Sequence, residues 1–170
     1  SNNVIKNNHI DGGYYGINLA GATNTEITGN VITNNMRSIS LQVSAHNNKI
    51  TNNILSDSLS SGVHIAYNSN DNMVSGNTIQ TSKPGGQGLL QAYTVSSGTQ
   101  FFNNNIDLVD IARPKRLLYV GPDSSNTVFN GNTVTGAADR AVVGVELFGM
   151  HVKKPQRKCM LMERRIAARL

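Results

Sequence analysis

The chain has 170 residues, room for one ordinary domain, with 15% charged residues, 5% aromatics, no tryptophan, 23 asparagines and 16 glycines. The single cysteine, Cys159, excludes an internal disulfide or a multi-cysteine zinc site, and no apolar run approaches the ~18 residues of a membrane span. The net charge of +5 does not mark a nucleic-acid binder, because residues 1–150 carry eight Lys or Arg against nine acids and the excess lies in the last twenty residues, seven bases against Glu163.

Along the chain one phrase recurs: an apolar residue, two small or polar residues, an asparagine, one further residue and a second apolar residue. After Ser1-Asn2-Asn3-Val4-Ile5, which lacks the charged-then-apolar pattern of a signal peptide, the first copy reads Ile5-Lys6-Asn7-Asn8-His9-Ile10. A short alternating segment, Gly16-Ile17-Asn18-Leu19, follows it. The second copy, Ile27-Thr28-Gly29-Asn30-Val31-Ile32, precedes Ser38-Ile39-Ser40-Leu41, and the third, Ile50-Thr51-Asn52-Asn53-Ile54-Leu55, precedes Gly62-Val63-His64-Ile65. Val74-Ser75-Gly76-Asn77-Thr78-Ile79 is the fourth, with Gly88-Leu89-Leu90-Gln91 after it. Phe101-Phe102-Asn103-Asn104-Asn105-Ile106 and Phe129-Asn130-Gly131-Asn132-Thr133-Val134 complete the series, the last leading to Gly144-Val145-Glu146-Leu147.

The key asparagines Asn8, Asn30, Asn53, Asn77, Asn104 and Asn132 stand 22, 23, 24, 27 and 28 residues apart. Gly or Asn before each supplies the left-handed backbone of a tight corner, and the flanking apolar residues can both point inward. The Gly-led segments alternate with period two, as half-buried strands do. The sequence therefore predicts an all-β fold: a right-handed parallel β-helix of about six coils over residues 1–150, with three short strands per coil. Inward asparagines would then form stacked amide ladders. A sandwich needs hairpins that nothing here demands, and a leucine-rich or helical solenoid lacks its 3.6-residue period before residue 150.

The Asn-Gly-Asn-rich copies resemble the repeats of the pectate-lyase-like superfamily of right-handed β-helices, which includes polysaccharide lyases, mannuronan epimerases, fructan transferases and phage tailspikes. The resemblance covers about residues 3–149 and implies a protein that acts on or binds polysaccharide. The Asp-Pro-His-Glu stretch of the mannuronan epimerases is absent, so no family's catalytic set is carried over.

Coil lengthening is confined to the connection before each Gly-led strand: Asp11 to Tyr15, Asn34 to Arg37, Asp57 to Ser61, Ser82 to Gln87, Leu108 to Lys115 and Gly136 to Val142. Variable loops on a rigid scaffold concentrate function, and this rim collects Arg37, Lys83, Arg113, Lys115, Arg116 and Arg140 as candidates for binding an anionic glycan. The competing reading makes them solvated loop charges. The outward column of the Gly-led strands is expected to hold Asn18, Ser40 and His64, followed by Leu90, Leu118 and Glu146. Tyr67 and Tyr93 are expected at matching places in adjacent coils, as a sugar platform or as a packing ladder.

His64, Lys83, Asp107 and Asp110 are the catalytic candidates. An imidazole titrates near neutrality, and Asp107 with Asp110, or Asp110 with Asp139, offers the paired carboxylates of a glycosidase. A lyase or epimerase needs instead a cation for the uronate and a base such as His64 or Lys83. A hydrogen-bonded surface histidine is the plainer reading of His64. His9 and His46 have no partner at metal-ligand spacing, so no metal or cofactor is expected.

The sequence enters partway through a repeat, which implies a segment of a longer protein. Residues 151–170 change to a basic, helix-forming composition, read as a capping helix, a disordered tail or a sequence foreign to the domain. The function expected is a carbohydrate-active β-helix that binds, and in its complete form cleaves or epimerises, an acidic polysaccharide, outside the cell, at its surface or on a virion. The rival is a structural or receptor-binding module that forms homo-oligomers, trimers if tailspike-like. No nucleic-acid or membrane partner is expected.

Overall fold

The computed structural model describes residues 2–81, 89–108, 116–136 and 143–147. The basic tail, residues 151–170, lies outside them. The first coil holds β1 (Val4–Lys6) and β2 (His9–Ala20), and the second β3 (Glu26–Thr28) and β4 (Val31–Gln42). The third holds β5 (Lys49–Thr51), β6 (Ile54–Ser56) and β7 (Ser61–Ile65), and the fourth β8 (Met73–Ser75), β9 (Thr78–Thr81) and β10 (Leu90–Ala92). The fifth holds β11 (Gln100–Phe102), β12 (Asn105–Leu108) and β13 (Arg116–Val120), and the sixth β14 (Val128–Asn130), β15 (Thr133–Gly136) and β16 (Val143–Leu147).

Every strand pairs in parallel with its counterpart one coil away. The first stack runs β1-β3-β5-β8-β11-β14. The strands after the corner asparagine pair as β2-β4-β6-β9-β12-β15, and the Gly-led strands as β2-β4-β7-β10-β13-β16. This is a parallel β-helix.

The first two coils differ from the three-strand expectation, because β2 and β4 each run twelve residues through the second and third strand positions. Their spacings of 22 and 23 residues leave no surplus for a loop. The bend is taken up inside the strand by left-handed Gly12 and Asn34, with φ of 72° and 55°. The expected rim of loops is therefore strand in these coils.

The inward apolar residues form columns. Ile5, Ile27, Ile50, Val74, Phe101 and Phe129 align in one, and Ile10, Ile32, Leu55, Ile79, Ile106 and Val134 in the next. Most are fully buried, each stabilising the fold by roughly 1.5–3 kcal/mol. The coil repeat sets Phe101 and Phe129 face to face, centroids 4.9 Å apart and planes 13° from parallel.

The six corner asparagines stand in one column. Asn30 donates both its backbone N–H and its Nδ2 to Asn53 Oδ1, at 2.9 Å each. The same double bond runs from Asn8 to Asn30, Asn53 to Asn77, Asn77 to Asn104 and Asn104 to Asn132. A second ladder, which the sequence reading did not single out, joins Thr25, Asn48 and Asn72 at another corner. Serines 69, 96 and 124 form a third through backbone N–H to Oγ bonds.

Candidate functional site

Period-two alternation sends Ile39 and Leu41, Val63 and Ile65, and Leu90 and Ala92 into the core, so Ser40, His64 and Gln91 face outward. Strand register makes the outward column Asn18, Ser40, His64, Gln91 and Tyr119, with Glu146 next in backbone register after Tyr119. This corrects the expectation of Leu90 and Leu118, which align instead with inward Val63. Leu89 and Leu90 are both apolar, and it is Leu90 that takes the Val63 place.

The same offset separates the tyrosines. Ile65 aligns with Ala92, so Tyr93 lies opposite Ala66, and Tyr67 opposite Thr94. They do not occupy matching places. Gly121 follows Val120, the partner of Ala92, and gives Tyr93 its space: a Cβ on Gly121 would stand 2.3 Å from Tyr93 Cβ.

Ser40, His64 and Gln91 are fully buried although they face outward, so His64 is not a surface histidine. Its Nε2 lies 2.6 Å from the Tyr93 hydroxyl and its Nδ1 3.1 Å from Ser40 Oγ. The shorter distance is that of a phenol donating to an imidazole nitrogen, which leaves Nδ1–H to donate to Ser40. Burial, reinforced by the Arg37 charge, pushes His64 down to about 3. Tyr93 is pushed above its ordinary value by burial, partly opposed by Arg37, with Tyr67, Tyr119 and Tyr15 adding to the rise. At neutral pH the pair is uncharged and Tyr93 keeps its proton.

Arg37 stands beside this pair, aligned with Tyr15 in the first coil and Ser61 in the third. Its guanidinium carbon is 5.9 Å from the centroids of both the Tyr14 and Tyr15 rings, which meet edge to face at 4.7 Å. Nη1 donates to the Tyr15 hydroxyl at 3.5 Å, and Nε is buried without a hydrogen-bond partner. Tyr119 closes the other side, its ring 6.2 Å from that of Tyr93.

Tyr14 and Tyr15 thus lie against Arg37, Tyr93 pairs with His64, and Tyr119 and Tyr67 stand on the Tyr93 side of the face. Sequence reasoning missed Tyr14, Tyr15, Gln91 and Tyr119. The signal available was the scarcity of aromatics, with every tyrosine in or beside a Gly-led strand.

The structure brings together His64, Arg37 and Tyr93, with Tyr67 close enough for its charge to act on Tyr93. It sets Asp107 apart, on β12 between Gln80 and Thr135, where its Oδ1 accepts from Thr135 Oγ1 at 3.1 Å. Arg116 opens β13 opposite Val143, and its side chain lies outside the description. Lys83, Asp110, Arg113, Lys115 and Arg140 also lie outside the described residues, as does Asp139. Among the described residues no three His, Cys, Asp or Glu side chains group to hold a metal ion.

A family model, the right handed beta helix region, matches residues 1–106. The chain belongs to this right-handed beta helix family. The match spans the corners from Asn8 to Asn104, and the structure carries the β-helix one coil further, to Leu147. Comparison with curated proteins and with solved structures found no match to this beta helix.

Proposed function

We propose that this β-helix binds an acidic polysaccharide on the face formed by Arg37, His64 and the tyrosines. The observation that carries the reading is Arg37 itself, a partly buried guanidinium beside two aromatic rings, with a buried Nε that has no hydrogen-bond partner. A planar fork suits a carboxylate or sulfate, and tyrosine rings offer apolar faces beside polar hydroxyls to a sugar. The resemblance of the corner repeats to those of the pectate-lyase-like superfamily supports a polysaccharide ligand, and such a ligand suits a protein outside the cell, at its surface or on a virion.

Binding is favoured over turnover at this face. His64 and Tyr93 are both neutral at physiological pH and committed to each other, so neither is a free base for proton abstraction. In this reading His64 is a positioning residue for Tyr93. Cleavage or epimerisation would draw its base from Lys83, Asp110 or the rim cations.

Retention on immobilised uronic-acid polysaccharides, sulfated glycans, fructans and neutral glycans tests the reading. Reducing ends and the ultraviolet absorbance of unsaturated products are followed alongside. Retention on acidic glycans that is lost on Arg37→Met supports it, and equal retention on neutral glycans, or none at all, overturns it. The three hydrogen-bonded ladders favour one alternative, a rigid structural or receptor-binding module, in which no glycan is retained.

A further inference from the structure

Among the described side chains of the outward column, Gln91 is the one whose presence the fold does not explain. It is fully buried, and neither its Nε2 nor its Oε1 makes a hydrogen bond. Its neighbours along the column are His64, whose ring nitrogens are both taken, and Tyr119. Tyr93 follows two residues later on the same chain segment. An unsatisfied buried amide is costly, and a leucine would fill the place without that cost. Such a group is retained for a ligand or an ordered water.

Resting on the reading of this face as a glycan site, we infer that Gln91 is a specificity-determining residue that hydrogen-bonds a pair of neighbouring sugar hydroxyls. An amide presents one acceptor and one donor side by side, the complement of two adjacent hydroxyls, each of which can give or take a proton. Arg37 belongs to the second coil and Gln91 to the fourth, so the two lie roughly 10 Å apart along the helix axis, two coil spacings. Register also sets them three residues apart along the strands, Arg37 opposite Ser61 and Gln91 opposite His64, so a ligand using both runs obliquely across the coils and spans more than one sugar: its carboxylate meets Arg37, and the hydroxyls of a following unit meet Gln91. The partly exposed rings of Tyr93 and Tyr119 must turn aside to admit it.

The test compares the wild type with Gln91→Leu, Gln91→Met and Arg37→Met, using uronic-acid oligosaccharides of one to four units as probes and thermal midpoint as a second readout. The proposal expects Gln91→Leu to keep or raise the thermal midpoint, to weaken binding of the longer oligomers about tenfold, and to leave single-sugar binding unchanged. Arg37→Met weakens both. Unchanged oligomer binding in Gln91→Leu, with the wild type still binding, overturns the role of Gln91 alone. A fall in midpoint or failure to fold in both Gln91 variants shows the amide to be structural and also overturns it. No binding by the wild type removes the glycan reading and this inference together.

Discussion

Asn52 fills the space that a side chain on Gly76 would need: a Cβ built on the glycine stands 2.6 Å from Asn52 Oδ1. Gly29 meets Asn7 Oδ1 at 2.6 Å and Gly131 meets Asn103 Oδ1 at 2.3 Å in the same way. All six residues have left-handed backbone, so the corner accepts Asn or Gly, but only every second coil has room for the amide. Gly76→Asn, harmless if backbone conformation alone mattered, is expected to cost about 1–3 kcal/mol. Adding Asn52→Gly and Asn103→Gly, which clears the coil on either side of the new amide, should recover most of that loss. Urea midpoints of the single variants and the triple one check this; strictly additive losses would refute the steric account.

Removing a rung of the corner ladder should cost more. Asn77 accepts from the backbone N–H and Nδ2 of Asn53, and its own Nδ2 reaches Ile50 O at 2.9 Å and Asn104 Oδ1 at 2.9 Å. Asn77→Ala orphans several buried groups at about 1–3 kcal/mol each, so a loss of about 3–5 kcal/mol is expected. Asn77→Asp keeps the acceptor but turns a buried charge toward the Ile50 carbonyl, and should be no better. Chemical denaturation of both variants measures it, and a loss below about 1 kcal/mol would contradict the ladder's role.

How much of this was legible differs from residue to residue. The corner asparagines were legible because their neighbours, spacing and flanking apolar residues repeat together. The ladder through Asn48 and Asn72 was not, since Thr25 stands in the same column and breaks the residue pattern. The outward column was legible as far as His64. Beyond it, the Leu89-Leu90 pair defeats period-two reasoning, although the spacing of 27 from Asn77 to Asn104 carries the correct alignment. That His64 is buried was not legible at all, because the groups around it come from four coils, and only the coil stacking brings Tyr15, Arg37, Tyr93 and Tyr119 to it.

The corner after each Gly-led strand carries strain that can be relieved. Val43, Thr94 and Val95 hold φ of 56°, 54° and 61°, which β-branched residues rarely adopt. The place equivalent to Val95 in the preceding coil is Asn68, at φ 59°. Val95 is half exposed and gives up little packing. Val95→Asn is therefore expected to stabilise the protein by about 1 kcal/mol, read as a rise in thermal midpoint. A fall would show that the valine packs more strongly than its exposure implies.

His64 sets the acid limit of stability and Tyr93 contributes to the alkaline one. The unfolded chain protonates His64 near its ordinary 6.5, whereas burial and Arg37 hold the folded group at about 3. Between those values the unfolded state binds more protons, so stability is complete above about 6.5 and declines as the pH falls toward 3. The integrated loss is on the order of a few kcal/mol. Tyr93 acts in the opposite sense, its raised value favouring the folded state below its ordinary 10 and losing that advantage as pH rises beyond it. Replacing His64 by Gln should flatten the acid limb of a plot of unfolding free energy against pH. Parallel limbs for the wild type and the His64 variant from pH 7 to pH 4 would show that this histidine is not held neutral by the fold.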